Sequence, residues 1–320
     1  MRALCFDHFG GPEVLRVQEL PDPIPAPGEV LVRTEAVGLN FADVYRRRGT
    51  YHLTGPAPYI LGYEGAGTVV STGDPVSRVR VGMRVGFADV PRANASLVAV
   101  PEERLIPLPA DVTTEVAAAV LLQGLTAQYL VRDSHLLQEG ESVLIHAAAG
   151  GVGSLLVQLA VHRGARVLGL TSTEEKAARV RQLGAESTSL YSEGWVERAR
   201  AFGDGGVDVV YDAVGSTLLQ SLEAAKLRGH VVFYGMSGGE PPLVAPRLLM
   251  DTGRTLTGGD LWNVLVSREE RLARAAELFG WLRSGALHVE ISGRFPFARG
   301  EEAHRYLESR TSTGKVLLIP

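Results

Sequence analysis

The sequence predicts an α/β protein of two domains, a β-rich one first and a doubly wound parallel sheet after it, and three observations carry that prediction. A chain of 320 residues with 45% hydrophobic composition is long for one core and ample for two. Up to about residue 109 it reads as short strands, over 3–6, 14–19, 30–38, 65–72, 84–88 and 96–100, broken by Pro and Gly. From about residue 115 the period changes, and 143–242 alternates continuous apolar runs with helical stretches. Continuous rather than alternating apolar strands mean a sheet covered on both faces, and hence parallel strands joined by crossover helices.

In chain order, the second region reads as strand VLIHA, helix 152–163, strand RVLGL, helix 174–183, strand VDVVYDAV, helix 218–227 and strand HVVFYG. TLTGG, after Arg254, is a further strand and would leave an open sheet edge. The tail supplies a helix over 269–283, the strand VEISGRFP, a helix over 299–309 and a final strand KVLLIP. These are too few for a core of their own, so they are expected to pack back on the first domain.

Composition excludes several classes. A net charge of -4 leaves no basic surplus for a nucleic-acid backbone. The most apolar stretch, 116–131, is interrupted by Gln123, Gly124 and Gln128, so neither a membrane span nor a signal peptide is expected. The single cysteine, Cys5, forms no internal disulfide and no zinc site with cysteine partners, which points to a reducing cytoplasm. The sequon Asn94-Ala95-Ser96 is then a chance match. The eight histidines show no paired metal spacing.

The stretch HAAAGGVGSLLVQLA carries the chemistry. A strand feeds Gly150, Gly151, Val152 and Gly153, and Leu155, Leu156, Leu159 and Ala160 then give an apolar helical face. Glycine lets backbone approach a pyrophosphate, and the first N–H groups and dipole of the helix attract its charge. The next strand, RVLGL, ends in Thr171-Ser172-Thr173, where an NAD site would carry an acid for the ribose hydroxyls. Hydroxyls followed by Lys176 suit an extra 2′-phosphate instead, so NADP(H) is favoured over NAD(H). Lysine occurs only at 176, 226 and 315 in this chain, which singles out Lys176. Capping of the next helix by Ser172 or Thr173 is compatible with that role.

The segments GGPEVLRVQELPDPIPAPGEVLVRTEAVGLNFADVYRRRGTY, LGYEGAGTVVSTG, PLPADVTTEVAAAVLLQGLTAQYL, HAAAGGVGSLLVQLA, VDVVYDAVG and GRFPFARGEEAHRYLESRTSTGKVLL give the chain its resemblance to a known family. It resembles the medium-chain dehydrogenase/reductases and, among them, the zinc-free quinone oxidoreductases related to ζ-crystallin. The resemblance implies a GroES-like catalytic domain over 1–123, a Rossmann NADP-binding domain over 124–261 and a segment over 262–320 returning to the catalytic domain. Zinc alcohol dehydrogenases of that superfamily carry a cysteine at the position of Asn40 and a histidine at that of Tyr63. Loss of both removes a Lewis acid, leaving hydride transfer to an already electrophilic carbon.

By the same resemblance, Asn40, Tyr45 and Tyr51 line the acceptor site, with Asn40 and Thr126 near the nicotinamide. Gly150, Gly151, Val152 and Gly153 hold the pyrophosphate, and Ser172, Lys176 and Tyr191 the 2′-phosphate. Phe233 and Gly235 sit over ribose and nicotinamide, and Lys315 closes the site. Two readings stay open for Tyr45 and Tyr51, site residues or packing aromatics, and for Asn40, cofactor contact or stabiliser of the turn before a helix. The pattern departs from the family between 87 and 98, and the family pattern determines 236–263, with Trp262, poorly, a region expected to shape acceptor choice. The implied activity is NADPH-dependent quinone reduction by a cytoplasmic homodimer; the alternative is reduction of α,β-unsaturated aldehydes, ketones or acyl thioesters.

Two rivals of other classes remain. Gly235-Met236-Ser237-Gly238-Gly239 matches a nucleophile elbow, with Asp251 and His288 downstream, but Pro241 and Pro242 oppose the helix such an elbow enters. A non-catalytic NADPH-binding structural or RNA-binding protein is the other, opposed by the acidic charge and the retained residues Asn40, Tyr45, Tyr51 and Thr126.

Overall fold

The computed structural model describes residues 1–53 and 55–320. The chain opens with β1 (Arg2–Phe6), β2 (Arg16–Glu19), β3 (Glu29–Leu39), α1 (Phe41–Arg47), β4 (Tyr59–Ile60), β5 (Glu64–Thr72), β6 (Arg84–Ala88), β7 (Leu97–Pro101), β8 (Ile106–Pro107) and α2 (Thr114–Tyr129). Then follow β9 (Ser142–Ile145), α3 (Gly151–His162), β10 (Arg166–Thr171), α4 (Glu174–Gln182), β11 (Ser187–Leu190) and α5 (Trp195–Phe202). Next come β12 (Val207–Asp212), α6 (Leu218–Ala224), β13 (Ala225–Phe233), α7 (Pro246–Thr252) and β14 (Thr255–Gly258). The tail is α8 (Arg268–Ser284), β15 (Ile291–Pro296), α9 (Gly300–Glu308) and β16 (Lys315–Ile319).

Two compact units form. The first comprises Met1–Leu122, Leu265–Phe279 and Val289–Pro320, the second Gln123–Val264 and Gly280–His288. In the first, a sheet runs β15-β16-β3-β5-β6-β8, with β7 also on β3, beside a small β2-β1-β4 sheet. The tail strand β16 pairs antiparallel with β3, setting Val316 opposite Leu39 and Leu318 opposite Val37. Phe6, Val32, Leu39, Phe87 and Leu318 belong to its core. α9 turns Gly300, Ala303, His304 and Leu307 inward, the spacing of one helical face.

The second unit is a six-stranded sheet, β11-β10-β9-β12-β13-β14, parallel throughout. Counted from the unit's own first strand this is the doubly wound Rossmann order, reversing direction at β9 and β12. Leu144, Leu168, Leu170, Val210 and Val231 form its core.

The expected helix over 218–227 is shorter: α6 ends at Ala224 and β13 begins at Ala225. The strand wins because Ala225 finds a partner in Val207, and Lys226 pairs with Asp208 of β12. Several elements escaped sequence reading, among them β11, α5 and α7. β11, with sequence STSL, is short and polar, and α7 buries none of its residues, so neither carries a periodic signal.

Candidate active site

In the first unit, the end of β3 delivers Asn40 to the N-terminus of α1. The Asn40 N–H donates to Asp43 Oδ2 at 3.0 Å, and Gly62 N–H donates to Asp43 Oδ1 at 3.1 Å. Asp43 thereby ties the helix start to the turn before β5. Burial raises its carboxyl above the usual range, against the nearby Arg46 and the two backbone donors. The turn is thus held by Asp43 through the Asn40 backbone, and the Asn40 side chain is engaged elsewhere.

That side chain joins a buried charged knot. Lys315 Nζ donates to Asn40 Oδ1 at 2.9 Å and to Glu64 Oε2 at 2.6 Å. Asn40 Nδ2 donates to the Gly38 carbonyl at 3.1 Å and to Glu64 Oε2 at 3.3 Å, while Leu122 N–H donates to Glu64 Oε1 at 2.7 Å. Lys315 and Glu64 are both fully buried. Burial pulls the ammonium below the ordinary lysine range, against the attraction of Glu64. Gly38 is required here, since a Cβ would collide with Glu64, Lys315 and the Ala118 carbonyl.

Tyr45 lies on α1 and Tyr51 follows it, their rings edge to face at 6.3 Å. Arg46, between them in sequence, stacks over the Tyr63 ring at 3.6 Å and the Tyr51 ring at 5.0 Å.

In the second unit, Gly150 caps α3 with extended backbone, and Gly151, Val152 and Gly153 form its first turn. Helix geometry leaves those three N–H groups without an intrahelical acceptor. A Cβ on Gly153 would collide with the Ala147 carbonyl, and one on Gly151 with the Gln123 amide. Ala147 adopts φ 47, the left-handed region that alanine rarely enters. Its N–H donates to the Tyr191 hydroxyl at 2.9 Å, which helps to hold that turn.

Beneath the loop lies a second polar knot. His146, fully buried, has Nδ1 3.3 Å from Tyr191 Oη and Nε2 3.0 Å from Ser221 Oγ, which donates to Asp212 Oδ2 at 2.6 Å. Burial lowers the His146 imidazole, so it stays neutral despite the nearby Asp212 carboxylate. Farther along, Thr173 caps α4, its hydroxyl accepting from Lys176 N–H at 3.3 Å. Ser172 is exposed, Lys176 half-buried, and burial lowers the Lys176 ammonium below its ordinary range. Thr126 is buried near the end of α2. Phe233 closes β13, and Gly235 follows it beneath the Ala213 carbonyl.

Each unit therefore gathers its own share of the expected residues: Asn40, Tyr45, Tyr51 and Lys315 in the first, Thr126, the glycine loop, Ser172, Lys176, Tyr191, Phe233 and Gly235 in the second. Ser237 donates to the Ala213 carbonyl at 3.0 Å, and the next helix waits until Pro246, so no nucleophile elbow forms. Sequence reasoning missed Glu64 and Asp212. A carboxylate inside the apolar, glycine-rich run LGYEGAG was the available signal for the first.

Residues 26–139 match the family described as alcohol dehydrogenase GroES-like domain, and residues 151–280 that described as zinc-binding dehydrogenase. The chain is 41% identical to a quinone oxidoreductase of Pseudomonas aeruginosa, covering 100% of this chain and 99% of the relative. It is 37% identical to a 2-haloacrylate reductase of a Burkholderia species, covering 97% and 96%. The crystal structure of Escherichia coli quinone oxidoreductase complexed with NADPH superposes with TM-score 0.97 at 36% identity, covering 100% of both chains. The zinc of the second family's description does not fit the residues here. Asn40 and Glu64 already hold the Lys315 ammonium, and the Tyr63 ring lies under Arg46. Among the described residues no group of three or more His, Cys, Asp or Glu could hold a metal, and no helix is long and apolar enough to cross a membrane.

Proposed function

Because the chain belongs to the quinone oxidoreductases of the medium-chain dehydrogenase/reductase superfamily, we propose that it reduces a quinone with NADPH, without a metal. The observation that carries this reading is the cradle at the start of α3, where a Cβ at 153 would strike the Ala147 carbonyl and one at 151 the Gln123 amide, so that only glycine lets the loop close tightly ahead of helix N–H groups able to take a pyrophosphate. When bound, the dinucleotide supplies a hydride from its nicotinamide. Gly150, Gly151, Val152 and Gly153 hold its pyrophosphate. Ser172, Lys176 and Tyr191 hold the 2′-phosphate, and Thr126, Phe233 and Gly235 contact the ribose and nicotinamide end. Lys315 orients Asn40 through its 2.9 Å hydrogen bond. Asn40, Tyr45 and Tyr51 orient the acceptor, and a tyrosine hydroxyl or water delivers the proton its reduced oxygen takes up.

The Burkholderia relative's name supports a second reading, reduction of an electron-poor carbon–carbon double bond by the same hydride geometry. The domain assignment is 1–123 catalytic, 124–261 coenzyme-binding and 262–320 returning to the first; of that last segment, 265–279 and 289–320 belong to the first compact unit and 262–264 and 280–288 to the second. The open edge at β14 and the exposed Leu243 and Met250 support a homodimer, and the single cysteine supports a cytoplasmic setting. The acidic net charge argues against a nucleic-acid partner.

The test is NADPH and NADH oxidation measured side by side over quinones, enals and enones, with a chelator present. Turnover with quinones, faster with NADPH and indifferent to the chelator, is expected. Activity abolished by chelation, or an NADH preference, overturns the reading; tight NADPH binding without turnover on any acceptor leaves a binding protein.

A further inference from the structure

The reading above gives no part to Arg46, a cation only 2% exposed on α1. Its guanidinium is bracketed by aromatic rings, 3.6 Å from the centroid of Tyr63 and 5.0 Å from that of Tyr51. Nε donates to the His52 carbonyl at 3.1 Å, and Nη1 lies 3.9 Å from Asp43 Oδ1. Asp43 is itself fastened by the N–H groups of Asn40 and Gly62. The carbonyl bond restrains the chain next to Tyr51, and the stacking restrains the ring. A desolvated guanidinium holds an aromatic face more firmly than an exposed one does.

We propose that Arg46 is a positioning residue that fixes Tyr51 as a wall of the acceptor site, using Asp43 as its anchor and the Tyr63 ring as its backing. This rests on the assignment of Tyr51 to the acceptor. Asn40 and Tyr51 are then referenced to one carboxylate, Asp43: the first directly, the second through Arg46. Tyr63, which stands where zinc relatives carry a histidine, acquires a use in the same arrangement. The Tyr45 ring, edge-on to Tyr51 at 6.3 Å, completes the aromatic wall.

The experiment is steady-state kinetics with 1,4-benzoquinone on Arg46→Met, Arg46→Lys, Tyr51→Leu and the Arg46→Met/Tyr51→Leu double variant. Arg46→Met should lower kcat/KM for the quinone by roughly three- to thirtyfold, the range of one buried cation–ring contact. The KM for NADPH should stay unchanged, Arg46→Lys should recover part of the loss, and Arg46→Met should add nothing in the Tyr51→Leu background. Tyr63→Leu keeps the Asp43 contact and should move quinone kinetics in the same direction, which covers the case in which Arg46→Met does not fold. Equal effects on quinone and NADPH constants, or an undiminished Arg46→Met effect in the Tyr51→Leu background, overturn the proposal. If Tyr51→Leu leaves quinone kinetics untouched, the assignment of Tyr51 to the acceptor fails; if it acts while Arg46→Met and Tyr63→Leu do not, only the positioning role fails.

Discussion

Each unit buries one polar knot under the residues assigned to chemistry, and the two are built on opposite plans. The knot of Lys315, Glu64 and Asn40 joins positions separated by 275 and 251 residues, and it works through full charges. The knot of His146, Tyr191, Asp212 and Ser221 draws on the ends of β9, β11 and β12 of one parallel sheet and the helix after β12, and contains one formal charge. Although burial opposes it, the Ser221 hydroxyl and the N–H groups of Val214 and Gly215 hold the Asp212 carboxyl below its usual range. A doubly wound sheet brings its strand ends to one place by topology, so hydrogen bonds suffice there. The first unit has to bring distant segments together, and the ion pair lies where they meet.

That contrast ranks the expected effects. The largest is Glu64→Ala, which strands the Lys315 ammonium in a dry site and should cost about 3–5 kcal/mol in urea denaturation. Glu64→Gln with Lys315→Met should recover most of it; a cost for the single change near that of a surface pair would abolish the contrast.

The next effect concerns a second charged knot in the first unit, where Arg47 Nη1 lies 2.9 Å from His304 Nδ1 and Nη2 donates to Glu308 at 2.5 Å. Burial first, and then Arg47, push the His304 imidazole down from 6.5 to about 3. Since the unfolded chain takes up this proton before the folded one, the stability is whole above pH 6.5 and drains away between 6.5 and about 3. Thermal melts of His304→Gln should show a flatter acid limb than the unmodified protein. An unchanged slope would remove this histidine from the account of acid sensitivity.

Lys176→Glu comes third. Reversing the charge beside the Thr173 cap should raise the KM for NADPH by roughly ten- to a hundredfold, the scale of a charge-assisted hydrogen bond, while that for NADH stays nearly constant. Equal changes would withdraw the 2′-phosphate from this lysine. The smallest effect belongs to Tyr191→Phe, which deprives the Ala147 N–H of its acceptor and should cost about 1 kcal/mol. A melt indistinguishable from the parent protein would mean that the Ala147 turn holds itself.

Most of the second unit's sheet was legible because β9, β10, β12 and the end of β13 are continuous apolar runs and α3 has one apolar face, whereas the polar β11 and the unburied α7 gave no such signal. Thr173 as a helix cap, and the strand that becomes β14, could be read for similarly local reasons. The charged knot was not legible, because Glu64 acquires meaning only when β16 lies beside β3 and brings Lys315 to it. His146 ends an apolar strand run and carries no sequence signal of its polar contacts, and its partner Ser221 sits on a helix face that periodicity reads as ordinary. Within the stretch 87–98 Asp89 and Arg92 take φ 69 and 68, a conformation that residue propensity does not announce. Asp89 lies 3.6 Å from the buried Arg271 and 3.7 Å from Arg104, contacts from two other segments that hold a turn residue propensity would not choose.

The placement of β16 sets a timetable for biosynthesis. Val37 and Leu39 of β3 have their partners at Leu318 and Val316, so that end of the strand emerges from the ribosome with its hydrogen-bonding edge bare. At about 5–20 residues per second, the wait for the matching segment lasts roughly fifteen seconds to a minute. The first unit to be synthesised is thus the last to be sealed, and the closing of that seam is what brings Lys315 to Asn40.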